Sequence, residues 1–406
     1  MERRVVITGL GIWSCLGTNL DEVRQSLYSG KSGIIFSQAR KDAGFRSALC
    51  ADVPKADLKK YLSRDLRKLM PEEAQYGYLA TIQALEHAKL DQDFLDQNEV
   101  GVIYGNDSVA EATMQALDKF RQAGSTAACG SGAIFQSMNS TVTMNLATLL
   151  HLRGINLTAS AACASGSHSV GLSYLLIKDG LQDCIICGGA QEANMFSVAS
   201  FDGLMAFSTR EDEPTKASRP FDKDRDGLIP GGGAATLVLE SYEHAVKRGA
   251  PILAEIVGWG FSGNGDHIST PNVAGPTRSL ELCLKNGGIN PRDIGYINAH
   301  ATSTHAGDGR EALAIANIFG DYRVPVTSTK SQTGHEMWMA GASEIIYSML
   351  MMKNDFIAGS INFENPDEVT QCINVIPETR QEHFDIFLSN SFGFGGTNST
   401  LIVKNC

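Results

Sequence analysis

No stretch of this sequence approaches the ~20 consecutive apolar residues that a membrane-spanning helix needs. Met1-Glu2-Arg3-Arg4 runs straight into Val5-Val6-Ile7-Thr8, without the apolar core of a secretory signal. A cytoplasmic protein with no membrane insertion is therefore expected. Long basic runs are missing as well. Lys and Arg number 34 against 45 Asp and Glu, a net charge of −11. Phosphate backbones repel such a chain, which argues against nucleic acid as a partner. Low-complexity segments are absent. Charged residues are 19% and hydrophobic residues 43%, the balance of a folded rather than a disordered protein. The nine cysteines, Cys15, Cys50, Cys129, Cys163, Cys184, Cys187, Cys283, Cys372 and Cys406, are odd in number and irregular in spacing. That excludes a disulfide framework, and most should be small reduced core residues.

What is present is an alternation of β-branched apolar runs with amphipathic stretches, the pattern of an α/β protein. Strands are predicted at Arg4–Thr8, Val100–Tyr104, Asn156–Ala159, Cys184–Gly188, Ala235–Glu240, Ile252–Trp259, Ile294–Asn298, Val324–Ser328, Ile386–Ser389 and Ser399–Val403. Helices are predicted at Asn19–Ser29, Pro71–Ala88, Ser165–Asp179, Pro276–Asn286, Gly309–Phe319 and Ala342–Lys353, with Pro71 and Pro276 in first helical positions. The 406 residues allow two domains or one duplicated unit.

A weak internal repeat favours duplication. Gly231-Gly232-Gly233 feeds the strand Ala235–Glu240, and Gly393-Phe394-Gly395-Gly396 feeds Ser399–Val403. Asn156–Ser160 passes through Ala161–Ala164 into a helix, and Val324–Thr329 passes through Lys330–Gly334 in the same way. The first corner carries Cys163 and the second carries His335. A pseudo-twofold would bring them together. The boundary is placed near Ser241–Gly249, giving halves of residues 1–245 and 246–406.

Chemistry concentrates at three places. Thr158-Ala159-Ser160-Ala161-Ala162-Cys163-Ala164-Ser165-Gly166 sets a thiol in a strand-to-helix turn among small residues. Backbone amides and a helix N-terminus there favour thiolate, and small neighbours leave room for an acyl group. A cysteine in isolation is more often an inert core residue; the two histidine segments reverse that judgement. Asn298-Ala299-His300-Ala301-Thr302-Ser303-Thr304 puts His300 at a strand end among hydroxyls. Ser328-Thr329-Lys330-Ser331-Gln332-Thr333-Gly334-His335 puts a lysine and a histidine on the second corner. Glu311 is a candidate to pair with Lys330 and hold the histidines in place.

Three apparent motifs are set aside. Asp222-Lys223-Asp224-Arg225-Asp226-Gly227 imitates a calcium loop, but its twelfth position is Gly233, not glutamate. Gly9-Leu10-Gly11 follows a strand but lacks the third glycine of a dinucleotide turn. Cys184-Ile185-Ile186-Cys187 lies inside an apolar run, without a second pair for zinc.

Together these segments resemble the β-ketoacyl synthases, or 3-oxoacyl-acyl carrier protein synthases, and among them the elongating enzymes of bacterial fatty acid synthesis. The likeness runs from Val5-Val6-Ile7-Thr8-Gly9-Leu10-Gly11, through Ser218-Arg219-Pro220-Phe221-Asp222, to Asn390-Ser391-Phe392-Gly393-Phe394-Gly395-Gly396-Thr397-Asn398. It implies a thiolase-like fold, five-layered α/β/α/β/α from two pseudo-symmetric halves, and a homodimer. It implies that Cys163 carries the acyl chain while His300 and His335 assist decarboxylation of a malonyl thioester. Lys330 and Glu311 would be an electrostatic and orienting pair. The amides of Cys163 and Phe394 would form the oxyanion hole. Thr302 and Thr304 would bind the pantetheine arm, and Phe392, a gating Phe394 and Ser108 would line the substrate path. An acidic acyl carrier protein would be the partner, docking on Arg64, Arg67 and Lys68. No metal or organic cofactor is implied, since phosphopantetheine arrives on the carrier.

The chain departs from the family pattern in places. His305 stands where proline is usual, and Glu336-Met337-Trp338-Met339 where small residues and a glycine are common. Gly105-Asn106-Asp107-Ser108 is polar where a glycine-rich pocket floor is frequent. These departures keep open a specialised role in an aryl polyene or polyketide-like pathway. A silent chain-length partner fits poorly, because Cys163, His300 and His335 are all present. A thiolase would pair two cysteines with one histidine.

Overall fold

The computed structural model describes Arg3 to Cys406. Eleven strands form one mixed sheet: β1 (Val5–Trp13), β2 (Val100–Gly105), β3 (Asn156–Ala159), β4 (Cys184–Gln191), β5 (Gly233–Ser241), β6 (Ala254–Gly263), β7 (Tyr296–Asn298), β8 (Pro325–Thr327), β9 (Asn374–Val375), β10 (Ile386–Gly393) and β11 (Thr397–Asn405). The order is β9-β8-β7-β10-β11-β6-β1-β5-β4-β2-β3. Read outward from the centre, β1-β5-β4-β2-β3 matches β6-β11-β10-β7-β8, with β9 added at one edge. The repeat seen in the glycine turns is therefore a repeat of strand order. Among the described residues the two half-sheets join where Val5, Val6 and Ile7 of β1 pair antiparallel with Ile256, Glu255 and Ala254 of β6.

Seven helices matter for the site: α1 (Glu72–Ala88), α2 (Glu111–Ala123), α3 (Thr141–Leu149), α4 (Ser165–Lys178), α5 (Ala274–Gly287), α6 (His305–Phe319) and α7 (Ala340–Lys353). Helices α4 and α7 pack against each other and against strands of both half-sheets. Both are buried along most of their length, with small and apolar side chains and the hydroxyls of serines facing their neighbours. Ile103, Val170, Ile177, Ile185, Ile345 and Ile346 meet in this central layer. Helices α1 and α3 cover the outer face of the first half-sheet, and α5 and α6 that of the second. The result is the five-layered α/β/α/β/α arrangement. A buried valine, leucine or isoleucine in such layers contributes about 1.5–3 kcal/mol.

Several expectations are refined. Pro71 caps α1 from outside, and Pro276 is the third residue of α5, which begins at Ala274. Helices α2 and α3 were not predicted; their stretches are polar or rich in small and β-branched residues. Gly9 and Gly11 lie within β1, pressed on α1: a methyl on Gly9 would collide with the carbonyl of Ala84, and one on Gly11 with that of Ala80. Close strand–helix packing explains these glycines. Asp222 is buried and accepts the N–H groups of Glu364 and Asn365, both at 2.8 Å, so the calcium-like segment is structural. Cys184 and Cys187 are buried free thiols within β4. Among the described residues no helix is long and apolar enough to cross a membrane.

Candidate active site

Cys163 sits in the single turn Ala162–Ala164 between β3 and α4. The turn is tight: Ala162 has a φ of +47°, a left-handed conformation that side chains resist. Ser165 holds it, its Oγ accepting the N–H of Ala161 at 2.9 Å and donating to the carbonyl of Ala162 at 2.6 Å. The sulfur therefore stands at the N-terminus of α4. The N–H groups of Phe394 and of Cys163 itself are both aimed at it. Burial nevertheless dominates and pushes the thiol up to about 11, against the charge of Lys330 and these two amides. The thiolate expected from the helix terminus alone does not prevail in the resting site.

His300 follows β7. Its N–H and that of Ala301 donate to the two carboxylate oxygens of Glu311 at 2.9 and 2.7 Å, and Asn390 Nδ2 donates to the same group at 2.9 Å. Glu311 thus clamps the loop that carries His300. It does not pair with Lys330 as expected. The partner of Lys330 is Glu344, on α7, and both are buried. The expectation failed because Glu311 spends its oxygens on backbone amides, while α7 places Glu344 against the lysine. Burial pushes Glu311 up to about 7 and Glu344 up to about 8, with Lys330 opposing both.

His335 lies beyond the one-turn helix Lys330–Thr333 and Gly334. Its N–H donates to the carbonyl of Ile229 at 2.7 Å, and its carbonyl accepts from Gly231 at 2.8 Å. The two strand–turn–helix corners do meet. One ring nitrogen of His300, one of His335 and the sulfur of Cys163 all lie within 4.8 Å of one another. The rings are 5.3 Å apart and nearly perpendicular. Burial first, then the nearby Lys330, lowers both imidazoles well below their ordinary range, and His335 also depresses His300. Both are neutral at pH 7.

The trio has a spacing a metal could exploit, but the tautomer of His335 opposes it. The N–H of Met337 donates to Nδ1 of His335, so the proton of the neutral ring is on Nε2. Nε2 is buried and without a partner. It offers a proton to the site, where a metal would require a lone pair.

A cavity of about 310 Å³ reaches this trio, lined also by Thr302, Thr304, Phe392 and Phe394. The hydroxyls of Thr302 and Thr304 are 3.2 Å apart. Phe394 precedes Gly395, whose φ of +76° suits glycine, and Gly395 donates to the carbonyl of Ile268 at 2.7 Å across the mouth. Ser108 does not line this cavity; it lies in the loop after β2, before α2. Arg64 and Arg67 form a short surface helix with Lys68 as its cap, away from the cavity, and Lys68 pairs with Asp65 at 3.2 Å. Sequence reasoning missed Glu344, Asn390 and the amide of Met337. Glu344 did leave a signal, as the lone acid among the apolar residues of α7.

Two family models match the chain: Beta-ketoacyl synthase, N-terminal domain, over residues 2–245, and Beta-ketoacyl synthase, C-terminal domain, over residues 253–364. The chain belongs to the β-ketoacyl synthase family. As a member it is a condensing enzyme of the acyltransferase type. The synthase is 41% identical over 405 residues to 3-oxoacyl-[acyl-carrier-protein] synthase 1 of Haemophilus influenzae, covering 99% of each chain. A β-ketoacyl synthase structure from Burkholderia phymatum superposes with a TM-score of 0.95 at 36% identity, covering all of both chains. A type II polyketide ketosynthase, captured with its acyl-carrier protein and bound to the hexaketide, superposes at 0.90 with 27% identity, again over both whole chains.

Proposed function

We propose that the synthase condenses a Cys163-bound acyl group with malonyl-carrier protein in fatty acid elongation, by decarboxylative Claisen chemistry. The observation that carries this reading is the meeting of one sulfur and two neutral imidazoles in a buried pocket at the end of a cavity. In the first step the sulfur attacks an acyl thioester on a carrier's phosphopantetheine. Its proton passes to His300, whose ring has no fixed tautomer; the carbon–sulfur bond to pantetheine breaks, and His300 gives that proton to the departing sulfur, which leaves as the thiol. The amides of Cys163 and Phe394 bind the oxyanion. Covalent storage splits one hard step into two.

Malonyl thioester then enters. Its carbon–carbon bond to the carboxylate breaks, carbon dioxide departs, and the electron pair moves into an enolate. Neutral His335 donates from Nε2, and His300 from its own ring, to the enolate oxygen. Each such donor contributes about 3 kcal/mol. The enolate carbon attacks the acyl carbonyl, and the Cys163 thiolate leaves. Thr302 and Thr304 hold the pantetheine arm, and Lys330 and Glu311 keep the site's charge and geometry. The scheme draws on no metal or organic cofactor.

The same reading makes the synthase a cytoplasmic homodimer of two like halves per chain. Support for dimerisation comes from the exposed apolar residues Met114, Leu117, Phe120, Ile134 and Phe135, and from Leu157 on the edge strand β3. A condensation assay with purified malonyl-carrier protein and acyl-carrier primers tests the function. β-Ketoacyl product is expected from the wild type and none from Cys163→Ala; product from that variant sinks the nucleophile assignment.

A further inference from the structure

We propose that Trp338 closes the acyl side of the Cys163 site and restricts the enzyme to short acyl groups, an inference that rests on the condensing function above. The cavity that touches Cys163 extends toward Thr302, Thr304 and Ile268, the side from which a pantetheine arm enters, and on its other side ends at Phe201, Leu204, Ala206 and Leu228, short of Trp338. Beyond that wall the space is filled. Val198, Phe207, Leu228, Met337 and Trp338 pack with Cys163 into one apolar cluster. An acyl chain on the sulfur needs room of its own beside the incoming arm.

Trp338 is the largest side chain of this group. The residue is 6% exposed. Its carbonyl is pressed against Gly166, in the first turn of α4, and Gly189, in β4; a methyl on either would lie 2.9 or 2.5 Å from that oxygen. The main chain therefore cannot retreat into the core. Only rotation of a buried indole would open space, against close-packed neighbours. Met337, just before it, has a φ of +47°, which fixes the direction in which the turn presents the ring.

Phe201 makes the same wall thicker. Its ring lies 6.3 Å from Trp338, and it stacks between Phe207 at 11° and Phe394 at 19°. Phe201 and Phe394 are partly exposed at the cavity, so they have solvent to move into. Trp338 has none. A growing chain can displace the outer rings but meets the indole as a fixed floor. The indole N–H is also buried without an acceptor, so this ring is held by packing alone.

The test is acylation of Cys163 in the full-length enzyme by butyryl-, hexanoyl-, octanoyl- and decanoyl-carrier thioesters, followed by intact-protein mass spectrometry. The wild type should load decanoyl about tenfold or more slowly than butyryl, the scale of selectivity a filled apolar pocket gives. Trp338→Ala should bring that ratio to within a few-fold. Trp338→Phe, which keeps an aromatic floor and serves if the alanine variant does not fold, should move the limit by fewer carbons. A wild-type ratio near one overturns the proposal, as does an unchanged ratio in a folded variant. Failure of butyryl itself to load would sink the underlying function instead. Trp338 is one of three tryptophans, so the fluorescence difference between wild type and Trp338→Phe reports its surroundings independently. Loading with octanoyl should perturb that difference; no change would count against contact between chain and indole.

Discussion

The N–H of Met337 donates to Nδ1 of His335 at 3.3 Å, and that contact decides which way the ring's proton faces. A neutral imidazole has one donor and one acceptor nitrogen. With Nδ1 accepting, Nε2 must donate, and Nε2 points into a buried space where no protein group meets it. Burial and Lys330 keep the ring neutral, so it stabilises an enolate without first losing a proton. Replacing His335 by alanine should lower carbon dioxide release from malonyl-carrier protein by about 10²–10³-fold, the cost of one such donor. Acylation of Cys163 should fall much less. Counting radiolabelled carbon dioxide checks this, and unchanged release would remove the donor role.

Cys163→Ala separates the two half-reactions. The variant leaves both imidazoles in place, so malonyl decarboxylation should persist while the covalent acyl-enzyme disappears. Mass spectrometry of the protein after exposure to acyl-carrier thioester should show no added acyl mass. An acylated variant would place the nucleophile elsewhere.

How much of this was visible beforehand follows from where the forces act. The Cys163 corner, β7 with His300 and the Lys330–His335 corner were legible because each combines a short apolar strand with a run of small or hydroxylated residues. Ten strand positions were found for the same reason, although β1 and β6 run past their predicted ends. The partner of Lys330 was not legible. Ion pairing across a fold depends on which helix packs over which corner, and sequence separation says nothing of that. Glu311 looked available because it is near His300 in the chain, but the buried N–H groups of His300 and Ala301 claim both its oxygens. Ser108 was assigned through the family likeness; it is not among the residues lining the cavity, although its neighbour Asp107 accepts the N–H of Ala162 beside Cys163.

The Lys330–Glu344 pair makes a stability prediction. Removing one member of a buried pair leaves the other without compensation, at about 3–5 kcal/mol. Lys330→Met should cost that much at pH 9, where Glu344, raised to about 8, would otherwise be ionised. Below pH 7 the loss should be smaller, because the lone carboxyl takes up a proton. The same change removes a positive charge that lowers Cys163, so acylation should need a more alkaline pH than in the wild type. Urea unfolding and an acylation pH profile measure the two effects; identical unfolding at pH 6 and pH 9 would contradict the pairing.

Glu336 offers a cleaner titration, since it touches neither the sulfur nor the cavity. Its oxygens accept from Ser343 at 2.6 Å and Tyr347 at 2.8 Å. Burial pushes its carboxyl from an ordinary 4.5 up to about 7, with those two bonds and Lys330 acting against the rise. The folded chain therefore keeps a proton that the unfolded chain releases between those values. This raised acid supports the fold at low pH, and the support is lost as pH climbs through the window. The loss from this group is on the order of 2–3 kcal/mol. Glu336→Gln cannot titrate, so its unfolding free energy should fall less between pH 5 and pH 8 than that of the wild type. Relative to wild type the variant should look worst at pH 5 and recover by pH 8. Parallel stability curves for the two proteins would show that Glu336 is ionised throughout.

The basic surface helix makes a kinetic prediction about the carrier. Arg64, Arg67 and Lys68 stand together on a chain of net charge −11, but Asp65 already takes up Lys68. Arg64 and Arg67 are therefore the charges left to meet an acidic carrier protein. Complementary charge of this kind acts on association more than on chemistry. Arg64→Glu with Arg67→Glu should raise KM for malonyl-carrier protein about tenfold and leave kcat close to wild type. The difference should shrink at high salt, where surface charges are screened. A malonyl-pantetheine substrate, which lacks the carrier, serves as the control and should be turned over alike by both enzymes. If the double variant binds the carrier as well as the wild type does at low salt, this helix is only a solvated face and docking occurs on another surface.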